Sequence, residues 1–257
     1  MWPATVPQFH IHNQLGIGTK KYLLFYHVLT LYTVAINEFG DINMLNMDFS
    51  QRVVINTHEV EWQNSPAAGV LRKRLASEEA ERGHATSIVK YEAGAKFNSH
   101  PHPLGEEILV LDGVFSDETG DYPAGTYLRN PEGFEHAPFS VEGCTLLVKL
   151  HQFQSTDNQQ VAIDTNTTPW LPGQGQLRVM PLHQHGTEST ALVMWPAGTH
   201  FQPHRHFGGE EIYVISGEFI DELGRYPAGT WIRSPHLSQH NPYVEQDTVI
   251  LVKVGHL

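Results

Sequence analysis

The stretch that decides the fold is residues 100–113, HPHPLGEEILVLDG. Two histidines one residue apart precede a glutamate pair, which runs into an apolar strand ending in glycine. The arrangement returns at 204–217 as HRHFGGEEIYVISG. Sliding the chain by 104 residues lays 94–140 on 198–244 with about half the positions identical and no gap. Upstream, TSIVKYEAG pairs with TALVMWPAG, and downstream the LVK of 147–149 returns at 251–253. The chain is therefore a tandem duplication of units of ordinary domain size. The join falls near 153–169, FQSTDNQQVAIDTNTTP, which is polar and poor in large apolar residues. This divides the chain into an N-terminal extension (1–46), a first repeat (47–153) and a second repeat (154–257).

Within each repeat, runs such as ATSIVKY, EEILVLDG, GTYLRN and CTLLVKL have strand length and strand composition. They are separated by EAG, SDETGD, PAG and NPEG, which is turn chemistry. The segment VFSDETGDYPAGTYL reads as a hairpin whose acidic tip is solvated. The nearest thing to a helix is one turn in SEEAERG. Many short strands at this spacing predict an all-β protein, a sandwich or small barrel in each repeat.

Composition narrows the function classes. A formal net charge of -12 argues against nucleic acid or anionic membrane as main partner, since phosphate binding needs a basic face. The single cysteine, Cys144, excludes an internal disulfide framework and a CxxC zinc site and fits a cytoplasmic location; it reads as a buried strand residue. The segment KKYLLFYHVLTLYTVAI (20–36) has a basic start and an apolar run, but it is shorter than the ~20 residues that span a bilayer and contains His27. No small-residue cleavage site follows it. Residues 1–43 are expected to be extra β structure or an over-long start before Met44 or Met47.

Alternate residues of a strand share a face, so His100 and His102 point the same way. Glu106 can bring a carboxylate to that side after a short loop, whereas Glu107 alternates away. His136, beyond the Pro131–Gly133 turn, is the candidate fourth ligand, and the second repeat offers His204, His206, Glu210 and His240 at the same positions. A lone H-x-H in a β protein is more often a surface or hydrogen-bonded pair than a ligand pair. The chain holds two such pairs, His10/His12 and His183/His185; in the register of 104 the latter fall opposite Glu79 and Glu81. Three histidines and a glutamate kept at identical positions in both repeats point instead to a divalent metal, because four such groups facing one another without an ion form a costly buried cluster.

These residues resemble the cupin signature. Its first motif, G-x5-H-x-H-x3–4-E-x6-G, runs from Gly94 through His100, His102 and Glu106 to Gly113, and again from Gly198 through His204, His206 and Glu210 to Gly217. Its second motif is met by Gly125, Pro131, Gly133 and His136, with Ser140 where asparagine is usual. The second copy has Gly229, Pro235 and His240, but Leu237 replaces the glycine and Val244 the asparagine. Residues 47–153 are similar in detail to the ChrR-type cupins, in which a cupin forms the C-terminal half of a zinc-binding anti-sigma factor; residues 168–257 are similar more loosely.

The resemblance implies two tandem jelly-roll barrels with a 3-His/1-Glu metal site inside, and zinc as the expected ion. It implies a sensing or regulatory role in a stress or transcriptional response. A sigma-factor partner is not expected, because nothing before residue 47 is helical or contains cysteine. The alternative is a dioxygenase using iron, manganese or nickel on a small diketone- or enol-type substrate, with Glu106 (and Glu210) accepting the substrate proton. An open coordination position would favour catalysis and a closed one structure. A small-molecule ligand and a homodimeric assembly complete the expectations.

Among the remaining repeat-paired residues, Phe97/Phe201, Tyr127/Trp231 and Ile108/Ile212 are expected to fill the barrels or line their mouths. Trp62 and Trp170 are expected to pack at the start of each repeat, and Arg129 and Arg233 to pair with acidic residues of neighbouring turns. Lys149 and Lys253 read as solvated strand ends.

Overall fold

The computed structural model describes residues 44–79 and 83–257. The run at 20–36, the His10/His12 pair and most of the N-terminal extension lie outside the described residues. Among the described residues the regular structure is all strand apart from one 3₁₀ turn, Thr57–Glu59.

Each repeat builds a barrel around a large antiparallel sheet. In the first, the order is Val161–Asp164, Thr126–Asn130, Glu106–Asp117, Cys144–Leu150, Ala85–Tyr91, Val70–Ser77 and Gln63–Asn64. In the second it is Val53–Asn56, Thr230–Ser234, Glu210–Ser216, Thr248–Val254, Glu188–Trp195, Arg178–His185 and Leu171–Pro172. The outermost strands are exchanged. Val53–Asn56 belongs to the first repeat yet pairs with Thr230–Arg233 of the second. Val161–Asp164 belongs to the second and pairs with Thr126–Arg129 of the first. The polar join thus carries a strand of its own, and the sheets cross the sequence boundary.

Period-two alternation explains how both sheet faces are buried. Ile108 and Val110 join Val89, Leu146 and Val148 inside the first barrel. Ile212, Val214 and Ile250 do the same inside the second, together with Phe201 and Phe219. The intervening residues Leu109, Leu147, Tyr213 and Leu251 meet between the barrels, with Leu75, Ile88, Met180 and Leu192. Tyr127 and Trp231 belong to this shared layer and not to the barrel interiors, because their neighbours Leu128 and Ile232 take the inward face. Burying one such aliphatic or aromatic side chain stabilises by about 1.5–3 kcal/mol. Trp170 packs against the shared layer, whereas Trp62 lies at the surface with the Lys73 ammonium 4.5 Å from its ring centre.

Charged residues complete the inter-barrel layer, and here the sequence reading of the lysines is corrected. Lys149 and Lys253 are buried because their strands end against the opposite barrel instead of in water. Lys253 donates to Glu107 and Glu188, each at 2.6 Å, and Lys149 donates to Glu211 at 2.5 Å. Arg129 donates to Glu107, Glu188 and Asp157. Arg233 finds no acidic partner within ion-pair distance among the described residues; it donates to the Asp48 carbonyl and lies over the Phe49 ring. His183 bonds Asp157 and His185 bonds Thr156, so neither joins a histidine cluster. The pairing Ala76↔Thr86 matches His183↔Thr190, which makes Ala76 the structural counterpart of His183 in place of Glu79.

Candidate metal centres

Two short ribbons carry the histidines. His100 lies directly opposite His136 in the pairing of His100–Pro101 with Glu135–His136, and His204 opposite His240 in its counterpart. Directly opposite residues of an antiparallel pair stand about 4.5–5.5 Å apart at Cα, so the H-x-H stretch and the distant histidine meet by register alone. A turn closed by Gly105 N–H donating to the His102 carbonyl then carries the chain into the strand that begins at Glu106.

The structure brings every predicted ligand to one of two places. Ligand atoms of His204, His206, Glu210 and His240 lie within 4.8 Å of one another, as do those of His100, His102 and His136. Glu106 completes the first group, its Oε2 3.6 Å from His102 Nε2 and 3.5 Å from His136 Nε2. In the second, Glu210 Oε2 is 3.5 Å from His206 Nε2 and 3.7 Å from His240 Nε2. Ligands about 2.0–2.1 Å from a shared ion stand roughly 3–3.5 Å apart, so the spacing is that of a coordination shell slightly relaxed. Glu107 and Glu211 point to the other sheet face and into the inter-barrel ion pairs.

Hydrogen bonds at the far side of the rings set the tautomers, as assigned from their partners. His100 Nδ1 donates to the Asn98 carbonyl at 2.8 Å, and His204 Nδ1 to that of Gln202 at 3.0 Å. His136 Nδ1 donates to Asp117 Oδ2 at 3.1 Å; His240 Nδ1 faces Asp221 Oδ2 at 3.6 Å. Each ring therefore turns a bare Nε2 toward the cluster. Asp117 is no solvated hairpin tip: it is buried, and it also receives Thr119 N–H and Oγ1–H. The two aspartates are 104 positions apart, which is the signal that could have revealed them.

The buried polar atoms fit a cation. Nε2 of His206 and His240 and Oε2 of Glu210 have no hydrogen-bond partner. In the first cluster Nε2 of His102 and of His136 face each other at 2.9 Å, although the Asp117 bond places the His136 proton at Nδ1. With His136 Nε2 bare, either a proton on His102 Nε2 or an ion must lie between the two nitrogens. Burial holds His102 and His204 below the usual imidazole range and takes His206 down to about 3, with His240 and His204 adding to the effect. These three rings are neutral and ligand-competent at neutral pH. Burial also pushes Glu210 up to about 7, the mark of a carboxylate lacking its counter-charge. Glu106 instead receives Asn130 Nδ2 at 3.2 Å, where the second repeat has Ser234.

The departures in the second motif do not displace its histidine. Leu237 adopts the left-handed conformation of the glycine it replaces, with φ 64° against 86° at Gly133. Ser140 Oγ donates to the Val114 carbonyl and receives Gly143 N–H, and Val244 is a core residue of the second barrel.

Each cluster opens on a cavity. The first, about 310 Å³, is lined by His100, His102 and Glu106 with Phe97, Phe115 and Val148. The second, about 220 Å³, is lined by His204, Glu210 and His240 with Trp195, Phe201 and Val252.

Comparison with known proteins agrees with this architecture. A candidate dioxygenase of Nostoc punctiforme superposes with a TM-score of 0.68 at 16% identity, covering 80% of this chain and 82% of the other. The Escherichia coli pirin YhhW, solved with nickel(II), gives 0.60 at 13% identity over 79% and 98% of the two chains. A deletion mutant of Bacillus subtilis oxalate decarboxylase gives 0.56 at 15% identity over 79% and 76%. At these identities the likeness is one of fold. No curated protein matches the sequence. The ChrR Cupin-like domain model matches twice, over residues 50–154 and 158–257, and the chain accordingly belongs to the ChrR cupin-like family, as a bicupin.

Proposed function

We propose that this protein is a metal-dependent bicupin enzyme that acts on a small organic substrate, with dioxygen-dependent cleavage of a diketone- or enol-type compound as its reaction class. The observation that carries the reading is the first cavity: three ligand residues line a chamber of about 310 Å³, so the cluster keeps an open side. Catalytic metal sites keep such a position, whereas structural sites are closed by protein ligands.

His100, His102, Glu106 and His136 would hold a divalent transition ion in the first barrel, and His204, His206, Glu210 and His240 one in the second. Such an ion supplies a Lewis-acid centre for a substrate oxygen and, if redox-active, an electron source for dioxygen. The chain supplies the remainder. Asn98 and Asp117 lock the rings of His100 and His136, and Phe97, Phe115 and Val148 keep the cavity wall apolar. Glu106 is the carboxylate placed to take a proton from a carbon acid in that cavity, with Asn130 Nδ2–H holding its Oε2.

The match of both repeats to the ChrR Cupin-like model favours a second reading, a zinc-loaded sensing or regulatory bicupin. Metal analysis of protein purified without added metal, run beside oxygen uptake on small β-diketones, separates the two. A redox-active ion with metal-dependent oxygen consumption is expected. Stoichiometric zinc in both barrels with no uptake would sink the enzymatic reading and leave the regulatory one.

A further inference from the structure

The two metal centres are braced differently behind their rings. In each, an aspartate stands behind the histidine that follows the turn, and its Oδ1 is fixed by backbone. Asp117 Oδ1 receives Thr119 N–H and Asp221 Oδ1 receives Leu223 N–H, each at 2.8 Å. The Oδ2 atoms differ. Asp117 Oδ2 receives His136 Nδ1–H at 3.1 Å. Asp221 Oδ2 instead receives Arg52 Nη2–H at 3.3 Å and stands 3.6 Å from His240 Nδ1, beyond hydrogen-bond reach. Arg52 belongs to the first repeat and directly precedes the exchanged strand Val53–Asn56. It also donates to the Tyr226 hydroxyl at 2.8 Å, which in turn donates to Asp221 Oδ1 at 2.7 Å. In the first barrel Val161 pairs with Arg129 as Val53 pairs with Arg233, so the residue in the place of Arg52 is Gln160, exposed and uncharged. Where the second hairpin has Leu223 the first has Thr119, whose hydroxyl bonds both Asp117 Oδ1 and the Tyr122 hydroxyl and ties that hairpin without an arginine.

A carboxylate that accepts the outer N–H of a ligand histidine raises the basicity of the inner nitrogen and tightens the bound ion. An arginine on the same carboxylate oxygen opposes this twice. It draws the oxygen into a charge-assisted bond of its own, and it adds a cation behind a site that must take another. We propose that Arg52 weakens the second metal centre, so that the two sites of the chain are unequal and the first barrel fills before the second. Arg52 is a positioning residue that acts through Asp221, and the first repeat thereby sets the ion affinity of the second. The inference rests on the reading of the two clusters as metal sites, whatever reaction the ions serve.

Zinc titration of the full chain in competition with a fluorescent chelator tests it. The unaltered protein should show two sites about tenfold or more apart, with His204→Ala keeping the tighter and His100→Ala the weaker. Added to His100→Ala, Arg52→Met should tighten the remaining site about tenfold, and Arg52→Lys, which keeps the cation, should tighten it less. Added to His204→Ala, Arg52→Met should change nothing. A merely structural contact, once lost, would loosen a site and not tighten it. Asp221→Asn is a second measurement that leaves Arg52 in place: it should weaken the second site no more than about threefold, against about 10–100-fold for Asp117→Asn in the first. Equal affinities in the unaltered protein, a second site unchanged or weakened by Arg52→Met, or an Asp221→Asn loss matching that of Asp117→Asn would each overturn the assignment. If Arg52→Met fails to fold, the comparison of the two aspartate variants decides. Absence of zinc binding would remove the metal reading and this inference with it. Unequal, Arg52-dependent zinc binding without oxygen uptake in any metal form would refute the enzymatic reading and uphold this one.

Discussion

At His136 two requirements meet in one ring: Nε2 must face the cluster bare, and Nδ1 must carry the proton that Asp117 accepts. Removing that acceptor frees the ring to turn and lowers its basicity, so Asp117→Asn should weaken metal binding in the first barrel about 10–100-fold, measured by chelator competition. His100→Ala should take the chain from two bound ions to one by metal analysis, since the second cluster shares no residue with the first. Loss of both ions would contradict two self-contained sites. Much of this was legible in the sequence. Strand alternation assigns Glu106 inward and Glu107 outward, and the Pro131–Gly133 turn singles out His136, whereas the register that sets it opposite His100 is seen only in the structure. Asp117 was not legible by the same means, because SDETGD is a good turn sequence whether or not its first aspartate is buried.

Among the elements, the long strand Glu106–Asp117 does two jobs in succession. Its first half spans barrel interior and inter-barrel layer; then Leu111 is bulged, with Val110 and Asp112 pairing the adjacent Leu146 and Thr145, and the strand turns to pair Gly120–Pro123. Gly113 sits just past the bulge at φ 72°, and a Cβ there would lie 2.1 Å from the Gly143 carbonyl oxygen. Gly113→Ala should therefore destabilise the protein by about 2 kcal/mol or more in denaturant unfolding, since strain and backbone clash add. The exchanged edge strands carry a second prediction. Residues 44–153 or 154–257 expressed alone each lack the strand that completes their sheet and expose the shared apolar layer. Neither should elute as a folded monomer by size exclusion, whereas co-expression should recover a 1:1 complex. The exchange was beyond sequence reading because a period of two tells which residues share a face but not which sheet receives the strand.

For the molecule as a whole, the buried charges between the barrels set the response to acid. Burial alone would raise the Glu107 carboxyl, but Lys253, Arg129 and Lys149 outweigh it and hold it at about 2, below its ordinary 4.5. A depressed carboxyl contributes stability above its unfolded value and loses it as the pH falls through the folded one. The thermal midpoint should therefore fall progressively between pH 4.5 and about 2. Lys253→Met would leave Glu107 and Glu188 without a lysine partner in a dry layer, at an expected cost of about 3–5 kcal/mol by denaturant titration. Lysines at strand ends are solvated in a lone barrel; only the second barrel closing over them makes them core.

The exchange of edge strands also bears on inheritance. Duplicated domains are usually free to part, and a recombination that retains one copy still leaves a folded product. Here each copy supplies an edge strand to the other's sheet, and the lysine of each closes on the glutamate of its twin. A gene reduced to one copy would encode an unfinished molecule, so the pair must travel together. Freedom to change is left to the barrel interiors, where Arg72, opposite Val89, lines one chamber and Val179, opposite Val193, lines the other.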